Sequence, residues 1–321
     1  MNKTLRAVSF FGIFGLLLAA GSMFFAWLAP TADEDLQSRH AAVIGIQEEA
    51  ENTIDLLVLG DSETYTSISP MQLYQKSGIT SYICGQSQQR VFESYDLLKL
   101  ALETQSPKVV ILETNALFRC KDQDVEIEKY IGGKIYKYMP IFRYHYLWKM
   151  PFEGNDDVST QYKGFRLRDK VKPYTGKEEY MVETDEVAEI PEWNQKHMED
   201  IIALCDEKNI ELVLVSVPSP RNYNYKEHNA LTQYAKEKNL TYLDMNMMNQ
   251  ELGMDWAKDT MDKGDHLNIY GAVKVTDYLC QYLLDNYEWE DHRNDERYQE
   301  WDALAKEYEK RVGILVAKNI K

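Results

Sequence analysis

The sequence predicts an α/β protein built on a doubly wound parallel sheet, with an N-terminal transmembrane helix and an inserted subdomain. Two patterns predict the sheet. Short apolar runs of strand length alternate with helical patterns, and three such β-α repeats occur early in the chain. A third pattern, a long uncharged stretch near the N-terminus, predicts the membrane helix. The expected architecture is the three-layer, flavodoxin-like type, in which helices cover both faces of the sheet.

The N-terminal stretch 7–29 carries no charge and exceeds the roughly 20 residues that a helix needs to span a bilayer. Lys3 and Arg6 precede it, and the acidic run 33–35 follows it. The positive-inside rule then predicts a single-pass protein in the cell membrane, with a cytoplasmic N-terminus and an extracellular main domain. A signal peptide cleaved near Ala29 is the alternative, but the run is long for one and lacks an Ala-x-Ala site. A buried core helix is a third interpretation, which the flanking charges disfavour.

Five strands and six helices are predicted after this segment. Each strand is a mostly apolar run, as expected where helices cover both faces of a sheet. The strands fall at 54–59, 79–84, 108–113, 211–217 and 241–244. The helices show apolar residues at helical spacing or, as with Pro70, a residue suited to a first turn. They fall at 67–77, 90–103, 191–208, 226–238, 268–285 and 296–312.

These elements suggest four parts of the chain: an anchor at 1–30, a linker at 31–53, an α/β domain at 54–290 and a charged C-terminal helix at 291–321. The domain is interrupted at about 120–190 by an insertion with basic and aromatic clusters, which we expect to pack over the sheet edge. Its aromatic residues predict either a lip that stacks on sugar rings or ordinary packing. The clusters are 136–148 and 162–174.

The composition excludes several classes of function. The net charge of −16 disfavours nucleic-acid binding, which needs a basic face. The four cysteines form no Cys-x-x-Cys pair, so that no zinc or thioredoxin-type site is expected, and Cys205 and Cys280 fit buried free thiols. No Gly-x-x-x-x-Gly-Lys-Ser/Thr loop is present, which disfavours nucleotide binding. We therefore expect neither a metal nor a cofactor. The remaining cysteines are Cys84 and Cys120.

Ser62 is the candidate nucleophile. It lies in Leu59-Gly60-Asp61-Ser62-Glu63, directly after the first strand, where open α/β folds place their chemistry. The alternative is structural, because Asp61 or Ser62 could simply cap the next helix.

His266 is the candidate base, because the imidazole pKa lies near neutrality. It precedes the last helix of the α/β domain, in a loop rich in Gly and Asp. A carboxylate should orient the ring, and both Asp262 and Asp265 are candidates. Asp262 is slightly favoured because it can fold back across the short loop, whereas Asp265 is adjacent in sequence to the histidine.

Two further residues follow strand ends and are candidates for binding an oxyanion. Gly85 could present its backbone N–H, and Asn115 could donate from its side chain. Either residue could instead serve only in a turn or a cap.

The order of these residues resembles the SGNH (GDSL-type) hydrolase superfamily over roughly residues 54–285. Gly60-Asp61-Ser62 resembles its nucleophile block, and Cys84-Gly85-Gln86-Ser87 and Glu113-Thr114-Asn115 resemble its oxyanion blocks. Asp262 to His266, followed by Leu267-Asn268 and Gly271, resembles its last block. The family usually spaces its aspartate three residues before the histidine, where this chain has Lys263. The resemblance implies a serine hydrolase or acyltransferase that uses the triad and oxyanion groups named above.

The predicted arrangement, an N-terminal membrane anchor followed by an extracellular domain, is similar to that of DltD, the teichoic-acid D-alanylation protein. It is also similar to that of the alginate O-acetyltransferase group. That resemblance implies transfer of acetyl or D-alanyl groups to a cell-surface glycopolymer, with a multi-pass membrane acyltransferase as partner. Two alternatives stay open. One is a non-catalytic surface protein that keeps the fold and binds a glycan or a partner, and the other is a secreted esterase released near Ala29.

Overall fold

The computed structural model describes residues 3–28, 45–119, 122–139, 141–142, 162–176 and 180–319. The chain divides into two compact units. One comprises Met1–His40 and Asp122–Val158, and the other comprises Ala41–Lys121 and Ser159–Lys321.

The second unit contains a five-stranded, fully parallel sheet in the order β2-β1-β3-β4-β5. Its strands are β1 (Leu56–Gly60), β2 (Ser81–Gly85), β3 (Val109–Glu113), β4 (Glu211–Ser216) and β5 (Thr241–Asp244). Every residue of the first three strands is buried, which explains why their sequences are continuous apolar runs. The predicted α/β class and the parallel sheet are confirmed.

Helices cover both faces of this sheet. The chain moves from β1 to β2 in one direction and from β2 to β3 in the other, so right-handed crossovers place the intervening helices on opposite faces. The main helices of this unit are α2 (Ser62–Ser67), α3 (Pro70–Ser77), α4 (Val91–Ala101), α6 (Glu192–Lys208), α7 (Tyr225–Lys238), α8 (Ile269–Asn286) and α9 (Gln299–Asn319). On one face α2, α3, α8 and α9 pack together, and on the other α4 packs against α6.

The first unit contains the helices α1 (Lys3–Leu28) and α5 (Gln123–Tyr138). The stretch Lys3–Trp27 has a mean hydropathy of 2.0 and is long and apolar enough to cross a membrane. By length and composition it is compatible with a single-pass anchor or with a signal sequence.

Two aromatic residues of the insertion pack inside the second unit. Tyr162 and Phe165 are buried, and both rings contact Tyr308 of α9 edge to face, with centroids 5.3 and 6.1 Å apart. The hypothesis of a sugar-binding lip is therefore wrong for these two residues, whose burial serves packing. The side chains of Tyr136 and Tyr138, and residues 143–148, lie outside the described residues.

Three cysteines, Cys84, Cys205 and Cys280, are buried free thiols, which confirms the interpretation of the latter two. Cys120 lies outside the described residues. Burial raises the pKa of each of the three thiols, so they are poor nucleophiles at neutral pH.

Candidate active site

Ser62 is the first residue of α2, and Asp61 is the residue that caps this helix. The Oδ1 atom of Asp61 accepts a hydrogen bond from the backbone N–H of Glu63 at 2.8 Å. Gly60 is required just before the turn, because a Cβ there would overlap Thr64 Oγ1 and lie 2.8 Å from the Cβ of Glu113. The capping role thus belongs to Asp61, and the hydroxyl of Ser62 serves another contact.

That contact is a hydrogen bond of 2.7 Å between Ser62 Oγ and His266 Nε2. The other ring nitrogen, Nδ1, lies 2.6 Å from Asp262 Oδ2. The second candidate acid, Asp265, has its nearest carboxylate oxygen 4.0 Å from Nδ1, beyond hydrogen-bond distance. The structure therefore brings Ser62, His266 and Asp262 into one chain of hydrogen bonds and leaves Asp265 beside it.

A tight loop between Thr260 and Leu267, which form an isolated antiparallel bridge, holds the histidine. Lys263 and Gly264 both have left-handed backbones, with φ of 71° and 90°. This reversal lets Asp262 reach back, and its Oδ1 also accepts the backbone N–H of His266 at 2.7 Å. An aspartate four residues before the histidine is thus positioned by the turn itself.

The charges of the pair support each other. Burial favours the neutral ring, but the hydrogen bond and charge of Asp262 outweigh burial and raise the pKa of His266 above its ordinary 6.5. For Asp262, burial is opposed by the hydrogen bonds from His266, and the pKa of the carboxyl is lowered. Asp262 therefore carries its negative charge at neutral pH and stabilises a proton on the ring.

The two oxyanion candidates lie close to the turn that carries Ser62. Gly85 is paired with Gly60 in the sheet register, and a Cβ on it would lie 3.3 Å from the carbonyl oxygen of Asp61. The Nδ2 of Asn115 donates to Asp61 Oδ2 at 3.2 Å. Neither residue is among the described residues that line the cleft in front of Ser62.

This cleft has a volume of about 360 Å³ and a polar lining. Its lining residues are Ser62, Ser87, Gln88, Arg90, Arg119, Asn222, Asp265 and His266. Five of them were not anticipated from the sequence. Arg119 forms an ion pair with Asp61, and Asn222 donates from Nδ2 to Glu63 Oε1 and to Asp265 Oδ1, both at 2.6 Å.

Two carboxyl groups are buried beneath the cleft. Burial and the nearby charge of Asp61 raise the pKa of Glu63 to about 8 and hold that of Glu113 well above its ordinary value. Both groups are therefore mainly protonated at neutral pH. Protonated Glu63 and Glu113 thus add little negative charge near the nucleophile.

Ligand atoms of Asp262, Asp265 and His266 lie within 4.8 Å of one another, as a metal site would require. Both ring nitrogens of His266 already bond, to Ser62 and to Asp262. A metal on the ring would have to displace one of these bonds, so the donor set fits a proton relay better than a metal centre.

Fold and site together define an α/β protein with a serine–histidine–aspartate triad at the carboxyl edge of its sheet. No family model matches the chain, and no curated protein matches it. Among solved structures, it is similar to a protein assigned to the G-D-S-L lipolytic family from Desulfitobacterium hafniense, with 16% identity, a TM-score of 0.39, and coverage of 72% of this chain and 99% of that one. A GDSL-like lipase from Bacteroides thetaiotaomicron shows 10% identity, a TM-score of 0.38, and coverage of 79% and 100%. These TM-scores are low, so the similarity carries no argument about function.

Proposed function

We propose that this protein is a membrane-anchored serine esterase or O-acyltransferase of the SGNH type. The observation that carries the proposal is the pair of short hydrogen bonds that joins Ser62 through His266 to Asp262. A serine hydroxyl becomes an effective nucleophile when a base removes its proton, and the base needs a third group that orients it. Here Ser62 and Asp262 each lie within hydrogen-bond distance of a different ring nitrogen of His266.

The reaction follows from these contacts. Ser62 Oγ attacks the carbonyl carbon of an acyl ester while its proton passes to His266 Nε2, and Asp262 stabilises the imidazolium that forms. The tetrahedral intermediate then expels the alcohol, which takes the proton from Nε2, and leaves an acyl group on Ser62. Water or an acceptor hydroxyl attacks this acyl-enzyme and gives its proton to Nε2, which returns it to Ser62 Oγ. Attack by water is hydrolysis, and attack by another hydroxyl is acyl transfer.

The backbone N–H groups of Ser62 and Gly85 and the amide of Asn115 are the proposed donors to the oxyanion. The proximity of Gly85 and Asn115 to Asp61 supports this assignment, because Asp61 directly precedes Ser62. Ser62 begins α2, so its N–H has no acceptor within the helix. Removing one such donor typically lowers turnover about 10²-fold or more.

We further infer that the acyl group belongs to a cell-surface glycopolymer and that the main domain lies outside the cell. The charges around α1 support the orientation, because Lys3 and Arg6 precede the apolar run and acidic residues follow it. The polar lining of the cleft favours a hydrophilic, hydroxyl-bearing partner over a long aliphatic chain. An acetyl or D-alanyl donor delivered by a multi-pass membrane acyltransferase would complete the reaction.

The test of catalysis is hydrolysis of an aryl acetate by the full chain in detergent. We expect Ser62→Ala to abolish turnover above background, because no acyl-enzyme can form. Ser87→Ala removes another hydroxyl from the same cleft and should keep most of the activity. Equal loss in both variants, or full activity in Ser62→Ala, would refute Ser62 as the nucleophile.

Transfer is distinguished from hydrolysis by adding an acceptor during turnover. If the protein is a transferase, an oligosaccharide acceptor should intercept the acyl group, and acylated sugar should form at the expense of free acetate. Product that is only acetate at every acceptor concentration tested would favour an esterase.

A further inference from the structure

The helices α1 and α5 belong to the same compact unit, and the chain just after α5 contacts α1. The backbone N–H of Ile141 donates to Ser22 Oγ at 3.3 Å. A Cβ on the neighbouring Gly21 would lie 2.6 Å from Ile141 Cδ1, so that the glycine leaves room for this side chain. Ser22 is only 6% exposed, whereas most apolar side chains of α1 are exposed. The contact is therefore a specific packing site on a helix whose described side chains are mostly exposed.

The position of Ser22 along α1 sets the depth of this contact. Ser22 lies six residues before Leu28, where the helix ends. At about 1.5 Å per residue, this distance is about 9 Å along the helix axis. If α1 spans a bilayer about 30 Å thick, Ser22 lies below its outer boundary. The chain that carries Ile141 must then reach the same depth.

The hydrogen bond to Ser22 has a physical reason at that depth. The hydrocarbon core offers no water to a backbone N–H, so each such group needs a protein acceptor there. Ile141 and Phe142 have helical backbone, and the hydroxyl of Ser22 supplies an acceptor for the N–H of Ile141, two residues after Met139, where α5 ends.

The helix α5 itself presents an apolar stripe. Ile131 and Ile135 lie one turn apart on the same face of α5, and Met139, the residue that caps the end of the helix, follows four residues later. They are 52%, 45% and 40% exposed. Asp124 and Glu128 precede Ile131 on the same face, at intervals of four and three residues, so this face is charged in its first half and apolar in its second half. The apolar half is the part of α5 that leads to the contact with α1.

We propose that α5 is an interfacial membrane helix, whose stripe Ile131–Ile135–Met139 lies among the acyl chains of the outer leaflet beside α1. This inference rests on the anchored topology of the proposed function. Its distinct basis is the contact of Ile141 with α1, which brings the end of α5 to the lipid whatever reaction Ser62 performs. The lipid is favoured over a protein partner because the stripe continues directly into that contact.

The test uses the full chain in vesicles of zwitterionic lipid, in a parent in which Cys120 is replaced by serine. Single cysteines replace Ile131, Ile135, Met139 or, as the matched control on the opposite face of the same helix, the exposed Lys129. Each carries an environment-sensitive fluorophore, and nitroxide-labelled acyl chains act as quenchers. We expect a shift of emission to shorter wavelength and severalfold greater quenching at the three stripe positions than at position 129.

Quenching at the stripe positions no greater than at position 129 would overturn the inference. A cysteine at Leu16, in the middle of α1, reports separately on the anchor. Strong quenching there without quenching of the stripe leaves the anchor intact and contradicts only the role of α5, whereas no quenching at either contradicts both. If the stripe is shielded only in native membranes and crosslinks there to another protein, α5 binds a protein partner and not lipid. Fluorophosphonate labelling of Ser62 in each variant reports independently on the enzyme.

Discussion

Asp61 connects three separate parts of the site to the nucleophile. Its Oδ1 caps α2, while its Oδ2 accepts Asn115 Nδ2 and pairs with the guanidinium of Arg119. Because Asp61 is fully buried, these contacts are sheltered from solvent and from screening by salt. The residue before the nucleophile therefore fixes the first turn of α2 and, with it, the direction of the Ser62 side chain.

At the same scale, Asp262→Asn should lower kcat by about 10³- to 10⁴-fold, because the imidazolium loses its compensating charge. The raised pKa of His266 places the acid limb of the kcat/KM profile above pH 6.5 in the unmodified protein, since only the neutral ring accepts a proton. Removing the charge lowers that pKa, so the limb should move to lower pH in the variant. A pH–rate profile of both proteins measures the shift.

Asp265→Asn is the matched control. Asp265 is also near the ring, but its carboxylate does not bond to it. We expect a loss below about tenfold and a small shift of the limb in the same direction. A greater loss for Asp265→Asn than for Asp262→Asn would contradict the assignment of the orienting acid.

At the scale of elements, the loop from Thr260 to Leu267 determines whether the triad assembles. Gly264 has a φ of 90°, and a Cβ there would lie 2.8 Å from both Pro220 Cγ and Tyr174 Cδ2. The hydroxyl of Thr260 bonds to the carbonyl of His266 at 3.0 Å and accepts the N–H of Gly264 at 2.7 Å. A change at Gly264 is therefore transmitted to the backbone of the histidine.

Gly264→Ala should lower both stability and activity. An alanine in the left-handed region costs about 1–2 kcal/mol, and the crowding displaces the loop. Gly253→Ala is the control, because Gly253 also has a left-handed backbone, with a φ of 62°, but open space around it. Thermal melts should show a loss of stability in both variants, whereas turnover of the folded protein should fall by tenfold or more only for Gly264→Ala. Equal turnover in the two variants would show that the loop does not need this glycine for catalysis.

At the scale of the whole molecule, the buried carboxyl groups make stability depend on pH. Glu63 has a pKa raised from 4.5 to about 8, so the folded protein binds its proton more tightly than the unfolded chain does. This contribution to stability is full below about pH 4.5 and is lost as the pH rises through 8. Glu113 acts in the same direction. The fold should therefore lose stability on the alkaline side of neutrality.

Glu63→Gln should reduce this loss, because glutamine resembles the protonated carboxyl and keeps an oxygen for the Nδ2 of Asn222. Midpoints of urea unfolding between pH 6 and 9 measure the effect, with Glu251→Gln on the surface as control. The slope of stability against pH should become shallower only for Glu63→Gln. Identical slopes in all three proteins would mean that Glu63 is ionised in the folded state.

Much of this architecture could be predicted because its causes are local. The strand β1 is an apolar run in the sequence, and the polar residues after it must leave the sheet at its carboxyl edge. The same rule placed Ser62, Gly85 and Asn115 near one another. The sequence could not settle whether Asp262 or Asp265 bonds to His266. The answer depends on a turn with two left-handed residues, and one of them, Lys263, is not a glycine.

The residues missed from the sequence become neighbours only through tertiary structure. Arg119 and Asn222 each lie six residues beyond the end of a strand, β3 and β4 respectively. They reach the site because these strands follow β1 in the sheet order. A systematic search of polar residues a few positions after each strand would have included both. The burial of Tyr162 and Phe165 against α9 could not be anticipated, because an aromatic residue in a sequence can be either exposed or packed.

The most direct test of the central claim is mass-spectrometric mapping of the adduct formed with a fluorophosphonate on the full chain. If His266 activates Ser62 across the 2.7 Å contact, the adduct should be found on the peptide that contains Ser62. It should form at a rate that rises with pH through the pKa of His266, and it should be lost in His266→Gln. An adduct on another serine, or a Ser62 adduct that forms equally fast without the imidazole, would contradict the account.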